Sequence, residues 1–129
     1  MRLFILAAML FMHIVDDWYL QGLLARCKQK IWWENNHPEE LYKNDYLAAL
    51  IIHAFSWTFM IQLPAAWYYI HNWFNINAGF FILMILNTAI HAYIDNLKAN
   101  ERKINLVIDQ LIHIGQVIAT WIILILILF

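Results

Sequence analysis

The sequence predicts an all-α, polytopic membrane protein: a single domain folded as a bundle of four transmembrane helices. Three observations predict it. Of 129 residues 64% are apolar and 13% charged, far from the roughly half and one quarter usual in soluble domains. The apolar residues fall in four blocks, 2–24, 46–70, 76–97 and 104–129. Each block is long enough, at ~1.5 Å per residue, to cross a hydrocarbon layer of ~30 Å. Lys and Arg gather in two connections, 25–45 and 98–103, and leave the opposite side with Arg2 alone. By the positive-inside bias those connections lie in the cytoplasm, which places the chain in the inner membrane with both termini outside.

The first block could be read as a signal peptide, since Arg2 precedes "LFILAAMLFM". No small-residue cleavage site follows its apolar run, so it reads as a retained helix. The second contains Pro64, where a kink is expected. "HNWFNINAG" makes a short uncharged turn between the second and third. Trp32, Trp33, Trp67, Tyr68, Tyr69 and Trp73 suit interfacial belts, and "WWENNHPEELYKNDY" suits a short interfacial segment. The tail "ILILILF" reads as a lipid-facing anchor.

Composition also excludes function classes. A net charge of −1 with no basic stripe argues against nucleic acid. One cysteine, Cys27, rules out an internal disulfide and a thiolate metal cage. There is no Gly-x-Ser-x-Gly elbow and no Gly-rich phosphate loop.

The informative feature is polar content inside the helices. His13 and Asp17, His91 and Asp95, and Asp109 and His113 are pairs four residues apart, which puts each pair on one helical face, and the second helix adds His53. Counted from the cytoplasmic ends at ~1.5 Å per residue, all seven share a band of roughly 5–18 Å. An Asp near a membrane helix centre costs about 2.5–3.5 kcal/mol on the insertion scale, so three of them need compensation. Lys98, seven residues beyond His91, is the one basic residue expected to reach them. One or two divalent cations would neutralise the carboxylates and satisfy the imidazoles together. Oxygen and nitrogen donors without thiolate suit Zn²⁺ first, with Mn²⁺ or Fe²⁺ as alternatives.

The expected metal ligands are therefore His13, Asp17, His53, His91, Asp95, Asp109 and His113, with His53 the seventh ligand or a general base. Gln21, Gln110 and Asn87 are placed either to hydrogen-bond the ligands or to join helix to helix. Asp16 points about 100° from Asp17 and is expected behind the ligands or at a water-filled entrance. Lys98 is the candidate for binding a substrate phosphate. His37 and His71 are expected in solvent or at the interface.

At these same residues "HIVDDWYLQ", "IIHAFSW", "HAYIDNLK" and "VIDQLIHI" resemble the successive signatures of a small bacterial and phage membrane family, domain-of-unknown-function family 3307, over most of the chain. The resemblance implies a pattern that falls on His13, Asp17, Gln21, His53, His91, Asp95, Lys98, Asp109, Gln110 and His113. Asp16 and Trp18 depart from the usual small and Phe neighbours. The helices are also distantly similar to membrane-bound metal-dependent hydrolases.

The expectation is a membrane-embedded metal hydrolase in contact with membrane lipids, acting on a lipid or lipid-linked phosphate or ester near the cytoplasmic leaflet. A homo-oligomer is compatible with it. A proton or metal-ion transporter would use the same band, but needs a polar path on both sides, and "LFILAAMLF", "FFILMIL" and "ATWIILILILF" read as apolar outer halves. Thr88, Gln116 and Thr120 do not add up to a path. A small interaction protein, whose polar band only fixes helix register, is the third reading.

Overall fold

The computed structural model describes residues 1–72 and 76–127. The expected belt position of Trp73 and the centre of the "HNWFNINAG" turn lie outside these residues, as do the last two residues of the tail. The described chain is helical, with no strand among the described residues, and four of its helices are long and apolar enough to cross a membrane.

Helix α1 covers Arg2–Ile14 and runs on as a wider π-helical segment, Val15–Leu20. The span ends there because Gly22 takes a left-handed conformation, φ 45°, that an L side chain adopts only with strain. Two short helices follow, α2 (Leu24–Cys27) and α3 (Lys30–Asn36), then a 3₁₀ turn at Glu40–Tyr42. Helix α4 (Asp45–His71) continues through Pro64. The remaining two, α5 (Ala78–Ala99) and α6 (Leu106–Ile122), start at asparagine caps. The Asn77 and Asn105 side chains accept hydrogen bonds from the backbone N–H of Phe80 and Ile108, satisfying donors that a helix start leaves open. Helix α6 ends in a second π segment, Ile123–Ile127.

Packing closes a ring: α1 on α4, α4 on α5, α5 on α6, and α6 back on α1. Hydrogen bonds identify the two ends. At the charged end Lys30 N–H donates to Asn100 Oδ1 (2.7 Å) and Asn100 Nδ2 to the Lys28 carbonyl (3.1 Å), joining the two basic connections. At the far end Trp121 Nε1 donates to the Arg2 carbonyl (3.0 Å) and the Tyr69 hydroxyl to the Leu124 carbonyl (2.8 Å). Tyr69, expected at the interface, is thus buried against α6. Trp67 remains exposed, with the His71 ring stacked on it at 4.1 Å.

Large apolar side chains such as Phe4, Ile52, Phe55, Phe81 and Ile85 face outward. The interior divides into two layers. Ile5, Met9, Ile61, Ala65, Phe80, Val117, Leu124 and Ile125 make an apolar core toward the far end, with Trp57 at its floor. Below Trp57, toward the charged end, the interior is polar.

Candidate metal centre

Helix α4 delivers His53, α5 delivers His91 and Asp95, and α6 delivers Asp109 and His113; all five are 1% exposed or less. The fourth wall is the π segment. Its wider turn reduces the angle between successive residues, and both Asp16 and Asp17 end up buried.

The three imidazoles come together nitrogen to nitrogen and nitrogen to carboxylate. His53 Nε2 lies 3.2 Å from His91 Nε2, 3.2 Å from Asp95 Oδ2 and 3.5 Å from Asp17 Oδ1. His113 Nε2 lies 3.3 Å from both Asp95 Oδ1 and Asp109 Oδ1. A ring nitrogen carries at most one hydrogen and so can serve one such acceptor; here one nitrogen faces two carboxylate oxygens and a second imidazole nitrogen. A cation would serve them all. Two groups, Asp17–His53–His91 and His91–Asp95–His113, have donor atoms within 4.8 Å of one another. In a tetrahedral site with bonds of ~2.0–2.1 Å, donors stand about 3.3 Å apart; the Asp17–His53, His53–His91 and Asp95–His113 spacings are 3.2–3.5 Å, and the remaining pairs of each group lie within 4.8 Å. The residues fit a divalent ion.

The carboxylates are held from behind. Gln21 Nε2 donates to Asp17 Oδ1 at 2.5 Å, and Gln110 Nε2 donates to Asp17 Oδ2 at 2.6 Å and to Asp109 Oδ2 at 3.1 Å. The indole of Trp18 donates to Gln110 Oε1 (3.1 Å), which turns the Gln110 amide nitrogen toward the carboxylates. Trp18, a departure in the sequence pattern, therefore has a positioning role. Lys98 reaches Asp109 Oδ2 at 2.5 Å with its side chain 23% exposed, so it stands at the rim.

Two sequence-level expectations change. Lys98 is not alone: Lys28 Nζ sits 2.5 Å from Asp95 Oδ2 with a side chain 6% exposed. The reversal at Gly22 and the short α2 bring it back under the bundle, which counting apolar runs cannot reveal. His13 belongs to neither donor group, because its Nδ1 accepts from the Trp57 indole at 2.8 Å. Asp16 is buried, accepts from Ser56 Oγ at 2.7 Å and belongs to neither donor group. Trp57 carries no signal of its own in the sequence. Besides holding His13, it stacks on the His91 ring at 4.1 Å and roofs the centre. His37 packs among Trp32, Trp33 and Tyr42 in the loop, outside the centre.

The chain matches no family model, no curated protein and no solved structure.

Proposed function

We propose that the protein is a membrane-embedded metal-dependent hydrolase acting on a lipid or lipid-linked phosphate or ester, with the charged end of the bundle in the cytoplasm. One observation carries the metal part: His53 Nε2 meets two carboxylate oxygens and a second imidazole nitrogen within 3.5 Å, an arrangement one hydrogen cannot satisfy. The orientation rests on the basic residues of the two joined connections, and the lipid substrate on the depth of the centre below that end.

Asp17, His53, His91, Asp95 and His113 would supply the ligands, three from one donor group at a time, which leaves a fourth position for water, with Asp109 beside them. His91 is common to both donor groups, and this favours one ion per chain over two. When bound, a divalent ion activates water as a nucleophile and stabilises negative charge developing at a phosphoryl or acyl centre. The chain supplies the rest. Gln21 and Gln110 fix the Asp17 carboxylate, and Trp57 fixes the tilt of His91 by stacking. Lys98, partly exposed at the rim, can exchange Asp109 for a substrate phosphate.

The test is elemental analysis of detergent-purified protein beside the His91→Ala/Asp95→Ala variant, followed by assay of both on phospholipids and lipid-linked esters. About one Zn²⁺ per wild-type chain, at least tenfold less in the variant, and phosphate or fatty acid release by the wild type alone is the expected result. Metal-free wild-type protein that releases no product would overturn it.

A further inference from the structure

The amides of the far half bond one another: Asn87 Nδ2 donates to Thr120 Oγ1 (2.8 Å) and Gln116 Nε2 to Asn87 Oδ1 (3.0 Å). A concave surface that the metal centre does not use lies at the opposite end, in the connection between α1 and α4. There α3 and the 3₁₀ turn at Glu40–Tyr42 border a cleft of about 210 Å³.

The local sequence builds it. His37 precedes Pro38 and leaves the helical region (φ −141°, ψ 72°), as a residue before proline tends to do. The chain turns back, and the rings of Trp33, His37 and Tyr42 then stand 5.3–6.3 Å apart, centroid to centroid, which holds the turn on the helix. Trp33 Nε1 donates to the Cys27 carbonyl at 2.7 Å, so its polar edge is engaged while the residue lines the cleft together with His37.

Charge of both signs surrounds this aromatic lining. Lys30 and Lys43 contribute ammonium groups, and Glu34, Glu39 and Glu40 contribute carboxylates. Two pairs form among them, Lys43–Glu40 at 2.9 Å and Lys30–Glu34 at 3.8 Å, with all four side chains 49% exposed or more. Pairs so exposed add little stability and exchange readily for another partner. Glu39, also exposed, belongs to neither pair.

Depth selects the partner. Helix α4 has 27 residues and at ~1.5 Å per residue is longer than the ~30 Å of hydrocarbon. Its charged start at Asp45, with Lys43 and Glu40 just before it, therefore belongs in the headgroup layer. On the other side of the cleft, the Lys30 N–H donates to Asn100 Oδ1 at 2.7 Å, which keeps α3 against the charged end of the bundle.

We propose that this cleft binds the zwitterionic headgroup of a membrane phospholipid, a phosphate ester carrying an ammonium group. Lys30 and Lys43 take the phosphate. Glu39 and Glu34 take the ammonium, which the Trp33 ring also attracts through a cation–π contact. A headgroup with a phosphate and no ammonium meets three carboxylates against two lysines and fits less well. No residue of the metal centre lines the cleft, so headgroup binding needs the membrane placement and not the hydrolase reading.

The experiment is native mass spectrometry of the full-length protein, released into mild detergent from nanodiscs holding equal amounts of phosphatidylethanolamine and phosphatidylglycerol. Retained lipid is counted per chain. Wild-type protein is expected to keep about fivefold more phosphatidylethanolamine than phosphatidylglycerol. Glu39→Lys should bring that ratio near unity while metal content stays at the wild-type value. Lys43→Glu is the second variant and should lower retained phosphatidylethanolamine severalfold. Equal retention of the two lipids by the wild type, or wild-type retention in both folded variants, overturns the proposal. Loss of metal or of hydrolysis in His91→Ala/Asp95→Ala would bear on the hydrolase alone.

Discussion

Lys28 shows how much one side chain can matter in this interior. Its ammonium is the nearest fixed positive charge to Asp95, and both groups are withdrawn from solvent. Removing one partner of a buried pair typically costs about 3–5 kcal/mol because the other charge is left uncompensated. Lys28→Met is therefore expected to lower stability by about 3–5 kcal/mol in metal-free protein, and added Zn²⁺ should restore part of that loss. Denaturant titration in detergent with and without Zn²⁺ checks both halves; equal stability of wild type and variant without metal would refute the first. At this scale the sequence reveals ligand candidates through spacing, since four-residue steps on a helix do share a face. It does not reveal which of two equally spaced histidines is a donor. His13 and His91 each stand four residues before an aspartate, and the Trp57 indole, distant in sequence, separates their roles.

Among the elements, the segment from Val15 to Gly22 is the least regular and the most consequential. A widened turn buries two adjacent carboxylates, and a left-handed glycine then stops the helix so that Lys28 can return beneath it. Gly22→Ala meets no steric obstacle, the nearest atom to the new methyl being the Leu20 carbonyl oxygen at 3.9 Å. Its cost is conformational, about 1–2 kcal/mol for an L residue in that region. The expected outcome is a modest loss of thermal stability together with weaker metal retention, as the Lys28 segment shifts; a variant unchanged in both would show the turn to be permissive. The four long helices were legible because each is an apolar run long enough to cross a hydrocarbon layer. The short helices α2 and α3 were not, since hydrogen bonds to Asn100 and packing under the bundle hold them, rather than any apolar period of their own.

The molecule as a whole reverses the usual soluble arrangement, with apolar side chains outside and a polar axis within. Its layers follow from that: the His/Asp centre toward the charged end, Trp57 above it, and a mixed apolar and amide-rich half beyond. Chain order distributes the centre unevenly. The hairpin of α1 and α4 contributes Asp17 and His53, whereas the hairpin of α5 and α6 contributes His91, Asp95 and His113. The Asp17–His53–His91 group therefore exists in neither hairpin alone. If the chain is cut between 72 and 76 and the two fragments are co-expressed, a cation at that group becomes a clasp between separate polypeptides. The fragments should then copurify through a tag on one of them and come apart in chelator, a complementation assay that reports metal occupancy with no knowledge of substrate.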